Sequence, residues 1–150
     1  MGKILCATRG GKASIPTQEA AIKQAKESGD SLTFFYVFDL EFMAHANYAI
    51  RTDVVSEEMD KMVRFLLTIA VERAEAAGVI AQTAIAHGQL EENLIKAVIE
   101  NETTLLVMGT PDPETANLER QRLDSLIHNI QEATGVHVML VEQSGHTEEL

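Results

Sequence analysis

Short apolar runs alternate with longer segments of helical periodicity along this chain. Most positions in the apolar runs are hydrophobic, which is typical of strands that are buried on both faces. Five such runs occur, at residues 3–8, 32–39, 79–87, 105–108 and 137–142. Between them, apolar residues recur at spacings of three and four, which predicts amphipathic helices.

The ends of two predicted helices carry recognisable signals. Pro16 suits the first turn of one helix, and Gly29 is placed to end it. Asp53 is a candidate N-cap for a long helix that ends at Gly78. The alternation of strands and helices predicts an α/β fold, a three-layer sandwich in which helices cover both faces of a parallel sheet. Right-handed crossovers restrict this sandwich to a doubly wound arrangement.

Neither period holds over residues 40–52, so this segment is predicted to be a long connection over the edge of the sheet. It contains the apolar residues Phe42, Met43, Tyr48 and Ile50. We expect these side chains to pack onto the domain or to meet a partner.

Composition and charge limit the classes of protein that this chain can represent. It has 150 residues, of which 45% are hydrophobic, enough for one well-filled core. We expect one domain over residues 1–142 and a polar, frayed tail over residues 143–150. The net charge of −11 works against binding to nucleic acid or to an anionic membrane. No apolar run reaches the roughly 20 residues of a membrane helix, and no signal-peptide layout precedes the first strand, which favours a cytoplasmic protein.

Few side chains suggest catalysis or metal binding. The single cysteine, Cys6, lies in an apolar strand, where a buried and inert thiol is expected. The five histidines lack ligand spacing, so no metal site is predicted. Of these histidines, His87 is distinguished by its position at the end of a strand. Neither Ser14 nor Ser125 has a histidine and an acid nearby in sequence, so no catalytic residue is predicted.

Four stretches resemble, in order, segments of the universal stress protein family: KILCAT, LTFFYVFD, HGQLEENLIKAVIENETTLLVMGT and LDSLIHNIQEATGVHVMLVE. The third is the most specific, because a His-Gly precedes a short helix and a buried strand ends in Met-Gly-Thr. The resemblance implies an adenine nucleotide alpha hydrolase-like fold, with a five-stranded parallel sheet in the order 3-2-1-4-5. It also implies a homodimer and, in one branch of the family, ATP bound between the first and fourth strands.

The last predicted strand is then the expected contact between two copies. An edge strand leaves a row of backbone N–H and C=O groups that a second chain can pair with. The predicted interface residues are His137, Val138, Met139, Leu140 and Val141.

The resemblance also implies a degenerate ATP motif. Nucleotide-binding members carry three spaced glycines after the fourth strand, the last followed by Ser or Thr, and these glycines let backbone amides close around phosphates. Gly109 fits the first position, but Asp112 and Asp124 replace the other two and bring negative charge there. Ser125 remains from the closing pair, and Val37 matches the position whose backbone meets the adenine. ATP binding in the usual manner of the family is therefore disfavoured.

The loop after the first strand offers another anion site. Residues 9–14, RGGKAS, resemble the Ser-Gly-Gly-x-Asp-Ser phosphate loop of ATP pyrophosphatases, without its aspartate. Arg9 and Lys12 place two cations beside exposed amides, which suits an anion. Alternatively, the two cations pair with acidic residues across the crevice and hold the loops together. The candidate nucleotide- or anion-binding residues are Thr8, Arg9, Gly10, Gly11, Lys12, Val37, Gly109, Thr110 and Ser125.

Three functional hypotheses follow from these features. The favoured one is a dimeric, non-enzymatic stress-response or regulatory module that acts on protein partners and has no certain cofactor. The second is a switch that binds ATP, another adenine nucleotide or a different anion through residues 9–12, with or without slow hydrolysis. The third is an enzyme of the wider nucleotide-hydrolase class that acts through the same loop.

Overall fold

The computed structural model describes residues 2–8, 14–38, 52–110 and 116–150. The strands of this part of the chain are β1 (Lys3–Ala7), β2 (Ser31–Phe38), β3 (Ala81–His87), β4 (Leu105–Gly109), β5 (His137–Val141) and β6 (Thr147–Glu149). Its helices are α1 (Ile15–Ser28), α2 (Thr52–Ala76), α3 (Leu90–Glu100) and α4 (Ala116–Thr134). All of residues 40–51, and hence nearly all of the predicted connection, lie outside the described residues.

The described strands form one sheet in the order β3-β2-β1-β4-β5-β6. The first five strands of that order are mutually parallel, so the predicted order 3-2-1-4-5 is confirmed. The predicted strand count of five is wrong, because β6 adds an antiparallel strand beside β5. The expectation of a frayed tail is likewise wrong for Thr147–Glu149, a polar strand held by backbone pairing rather than by an apolar pattern.

Two hydrophobic cores lie on opposite faces of the sheet. Ile4 and Cys6 of β1 enter the core beneath α1 and α2, whereas Leu5, between them, enters the core beneath α3 and α4. Phe34 and Phe35 divide in the same way in β2. Successive side chains of a strand point to opposite faces, so a strand covered on both sides must be apolar at nearly every position. This arrangement explains the continuous apolar runs and confirms the three-layer sandwich.

The predicted helix ends agree with the structure to within a few residues. Gly29 has a left-handed φ of 76°, and its N–H donates to the carbonyl of Ala25 at 2.8 Å, which closes α1. The second helix already begins at Thr52, so Asp53 falls inside its first turn instead of preceding it. Gly78 follows the end of that helix with a φ of 85°.

None of the helices in the described part of the chain combines the length and apolarity needed to cross a lipid bilayer.

Candidate functional site

The carboxyl ends of the parallel strands form one edge of the sheet, here called the rim. Strands β1 and β4 are neighbours, but the chain continues from β1 to β2 on one side and from β4 to β5 on the other. Ligands bind at such switch points in open α/β sheets. Thr8 follows β1, and its N–H donates to the carbonyl of Phe35 at 2.9 Å. At the end of β4, the N–H of Thr110 donates to the carbonyl of Val141 at 2.9 Å. The rim therefore brings together Thr8, Gly109 and Thr110 of the predicted residues.

A cluster of buried polar side chains lies where β1 ends and α1 begins. Among the described residues, Thr8, Ser14, Thr17 and Gln18 are the polar residues that are buried. The Gln18 side-chain amide donates to the Thr8 hydroxyl oxygen at 3.0 Å. On its other side, the Gln18 carbonyl oxygen accepts a hydrogen bond from the Arg73 guanidinium of α2. We call Thr8, Gln18 and Arg73 the polar network.

Sequence reasoning did not find Gln18 or Arg73. A signal for Gln18 exists, because it occupies the inward stripe of α1 that continues through Ala21, Ile22 and Ala25. A polar residue on an apolar stripe needs a hydrogen-bond partner when it is buried. Arg73 gives no comparable signal, because it meets Gln18 across a separation of 55 residues.

Gly109 is held closely against α1. A Cβ atom on Gly109 would lie only 2.7 Å from the Thr17 hydroxyl oxygen, closer than real Cβ contacts come. The glycine at the end of β4 is therefore required by packing, independently of any ligand.

Ser125 lies apart from the polar network, on α4. It is exposed and lines an open cavity of about 590 Å³ between the start of α3 and α4, together with Gln89, Glu91 and Arg122. Val37 is half-buried near the end of β2 and packs against the core beneath α3 and α4. Among the described predicted residues, Ser125 and Val37 thus lie apart from the group formed by Thr8, Gly109 and Thr110.

His87 ends β3 at the rim and contacts both an aromatic ring and a carboxylate. Its ring centroid lies 5.5 Å from that of Phe38, and its Nε2 lies 3.6 Å from Oδ1 of Asp60. The other oxygen of Asp60 accepts a hydrogen bond from Arg64 at 2.9 Å. Among the described residues, no group of three His, Cys, Asp or Glu side chains could hold a metal ion.

Cys6 is an inert core thiol, as predicted. Its side chain is fully buried, and desolvation raises the pKa of the thiol to about 12. The thiolate, which is the nucleophilic form, is therefore suppressed at neutral pH.

A model of the universal stress protein family matches residues 1–142. This chain belongs to that family. A search of curated protein sequences found no match.

Solved universal stress proteins have the same fold as this one. A protein of the family from Burkholderia pseudomallei is similar with a TM-score of 0.69 and 19% identity, over 93% of this chain and 95% of the other. A universal stress protein solved in complex with cAMP gives 0.69 and 21%, over 93% and 96%. A universal stress protein from Archaeoglobus fulgidus in complex with dAMP gives 0.58 and 12%, over 93% and 97%.

Of the two aspartates predicted to replace glycines of the ATP motif in this universal stress protein, only Asp124 lies among the described residues. Asp124 is exposed on α4, and Arg120, one turn earlier, donates to its Oδ1 at 3.1 Å. Partial burial lowers the pKa of Arg120, but bonding and attraction to Asp124 and Glu148 outweigh this effect and raise it. Asp112 and the loop residues 9–12 lie outside the described residues, so their predicted roles stay predictions.

The outer edge of β5, through which the predicted dimer would form, is paired with β6. Strand β6 pairs along β5, from Met139 opposite Glu149 to Val141 opposite Thr147. A second universal stress protein chain would have to displace β6 to reach β5. The interface therefore stays a prediction, and it requires that β6 first leaves the edge of β5.

Proposed function

We propose that this universal stress protein is a regulatory module of the stress response that acts through contacts with other proteins. Its partners include a second copy of itself. We also propose that it does not bind ATP in the manner of the nucleotide-binding branch of the family.

The polar network is the observation that carries this proposal. A phosphate at the β1 end of the rim would need hydrogen-bond donors, and two of the described side chains there already donate within the protein. Gln18 donates to Thr8, and Arg73 donates to Gln18. Buried groups satisfied in this way must break hydrogen bonds before they can bind a ligand, which weakens binding.

Electrostatics supports the same proposal. The chain carries a net charge of −11, and Asp112 and Asp124 stand at two glycine positions of the ATP motif. Like charges repel one another, and the repulsion grows with the number of negative charges on the ligand. A triphosphate, the most highly charged of the adenine nucleotides considered, is therefore the least favoured.

A second candidate function is the binding of an adenine nucleotide with a single phosphate. The observation that favours it is that two relatives were solved in complex with cAMP and with dAMP. In this chain Arg9 directly follows Thr8, and Lys12 comes three residues later. These two residues could supply the two cations that one phosphate needs.

Calorimetric titration of the purified, nucleotide-stripped protein tests both candidates. ATP with magnesium, cAMP and AMP are compared on the parent and on an Arg9→Ala, Lys12→Ala double variant. A Lys23→Ala, Lys26→Ala double variant is the matched control, because it removes two cations from exposed positions of α1.

We expect no binding heat with ATP. Micromolar ATP binding that only the Arg9, Lys12 variant loses would overturn the main proposal and establish a nucleotide switch. Binding of cAMP or AMP alone, with the same dependence on Arg9 and Lys12, would establish the second candidate.

A further inference from the structure

Strand β5 is a core strand that lies at the edge of the parallel part of the sheet. Val138 and Leu140 are buried beneath α3 and α4, and Met139 and Val141 are buried beneath α1 and α2. Its side chains are therefore fixed in the two cores, whichever chain pairs with its outer edge. The outer edge itself offers only backbone N–H and C=O groups.

Strand β6 covers that edge almost entirely through its backbone. Val138 and Leu150 exchange two backbone hydrogen bonds, of 3.4 and 2.8 Å, and the N–H of Glu142 donates to the carbonyl of His146 at 2.8 Å. Residues 142–150 are all exposed, so none of them contributes a buried side chain. Burial of apolar surface, which holds the other strands, contributes little to holding β6.

Two side chains of α4 contact β6 and the residue that follows it. The Arg120 guanidinium lies 3.4 Å from Glu148, and the Gln131 amide donates to the carbonyl of Leu150 at 3.1 Å. Both contacts are exposed, and exposed ion pairs add little stability. A strand held by so few contacts opens more readily than the rest of the sheet.

We propose that β6 is a displaceable cap that keeps the edge of β5 from pairing with β5 of a second copy of this chain. With β6 in place, the chain does not associate through this edge. When β6 leaves, two copies join antiparallel through their β5 strands. The inference rests on the proposed function only in taking a second copy as a partner.

The composition of β5 favours such a pair. In an antiparallel arrangement centred on Met139, Val138 of one copy lies opposite Leu140 of the other, and His137 lies opposite Val141. No two groups of like charge face each other, and apolar pairs across strands stabilise a sheet. The two buried cores would then continue across the interface.

The outer edge of β6, unlike that of β5, disfavours pairing with a second copy of the chain. In an antiparallel pair of β6 strands centred on Glu148, that carboxylate would face its own copy, and Glu149 would lie opposite Thr147. Like charges directly opposite each other destabilise a pair of strands, and charged edges are a common protection against association. Strand β6 therefore covers the edge of β5, and its own outer edge does not pair with a second copy.

Two proline substitutions in β6 separate the effect of its backbone pairing from the effect of its charge. Because Val138 and Leu150 form a hydrogen-bonded pair, the register makes Leu140 and Glu148 the next such pair, so the N–H of Glu148 points at β5 and that of Glu149 points away. Glu148→Pro removes the inward N–H, whereas Glu149→Pro removes an outward one that edge strands can spare. Each substitution removes one carboxylate, so net charge is matched between them. Glu148→Pro also removes the ion pair with Arg120, and the Arg120→Ala, Gln131→Ala variant reports on that loss with β6 unchanged.

Sedimentation velocity over a range of concentrations measures the outcome, with circular dichroism to confirm folding. The test compares the parent, the two proline variants, a chain that ends at Glu142, and an Arg120→Ala, Gln131→Ala double variant that leaves both strands unchanged. We expect the parent and Glu149→Pro to be monomeric. Glu148→Pro and the shortened chain should form dimers, and the double variant should associate at concentrations where the parent does not.

Hydrogen exchange identifies the edge that is used. In both dimers the amides of Val138 and Leu140 should stay protected, and in the Glu148→Pro dimer the remaining amides of 147–150 should exchange freely. The proposal is overturned if the folded variants with a loosened β6 stay monomeric, or if the parent and all variants dimerise equally. Loss of a parental dimer on shortening would also overturn it, because β6 would then be part of the contact. None of these results would alter the ATP titration, so failure here is distinct from failure of the proposal on ATP binding.

Discussion

Thr17 lies so close to Gly109 that a methyl group on the glycine would sit 2.7 Å from the threonine hydroxyl oxygen. The next nearest atoms, Cβ of Thr17 and the carbonyl oxygen of Val141, would be at an ordinary contact distance of 3.9 Å. The close approach of α1 to the end of β4 therefore depends on these two residues as a pair.

We predict that Gly109→Ala destabilises the fold, because Thr17 is buried and has little room to move. Overpacking of this kind costs about 1–3 kcal/mol. In the double variant with Thr17→Ala, the clash is removed, so the loss should be smaller than the sum of the two single losses. Urea unfolding of the four proteins measures the coupling, and additive losses would show that Thr17 is not the obstacle.

Gln18→Ala should also lower the free energy of unfolding. The substitution removes the hydrogen bonds that Gln18 makes with Thr8 and Arg73, and one such bond contributes about 0.5–1.5 kcal/mol to stability. Glu19→Ala, at the next position of the same helix but exposed, is the control and should change stability by less than about 0.5 kcal/mol. Equal effects of the two substitutions in thermal or urea unfolding would mean that the polar network contributes nothing.

The buried thiol of Cys6 predicts a loss of stability at alkaline pH. Burial raises its pKa from 9.0 to about 12, so between these values the unfolded chain releases a proton that the folded chain keeps. The folded state then binds more protons, and its stability falls as the pH rises. Unfolding of the parent and of Cys6→Ala is compared from about pH 8 to about pH 11, a range that begins below the pKa of the unfolded thiol and covers most of the loss. A gap between the two proteins that does not change with pH would contradict the prediction.

Restoring the glycines of the ATP motif should increase affinity for ATP. An Asp112→Gly, Asp124→Gly double variant removes two negative charges from the positions where the resemblance predicts glycines of an ATP motif, and it frees Arg120 from Asp124. A Glu27→Gln, Glu132→Gln double variant removes two charges elsewhere on the exposed surface and is the control. Calorimetry should detect ATP binding only in the first variant. If both variants resemble the parent, the aspartates are not what closes the crevice.

The sequence predicted the sheet well because each core strand is apolar on both faces. The run at 32–39 corresponds to Ser31–Phe38, where Phe34 and Phe35 fill different cores. Strand β6 was missed for the converse reason. Its residues, Thr147, Glu148 and Glu149, are all exposed, and backbone pairing leaves no trace in hydrophobicity.

The sequence could predict only those residues of the candidate site that lie at the ends of strands. Thr8 and Gly109 meet at the rim because parallel strands end at the same edge. The contact between Gln18 and Arg73 joins helices that are distant in sequence, and no local spacing encodes it. Residues 9–12 and Asp112 lie outside the described residues, so the titrations above are their test.

The pairing of Leu150 with Val138 fixes where the chain can be anchored for measurement. It places Leu150 beside the start of β5, and Gly2, whose carbonyl accepts from Ser31, lies beside the start of β2. Gly2 and Leu150 therefore lie at the amino ends of the strands, one strand length, roughly 17 Å for five residues, from the rim. A biosensor chip that captures the protein by its first residues leaves the rim facing the flowing solution and β6 free to move.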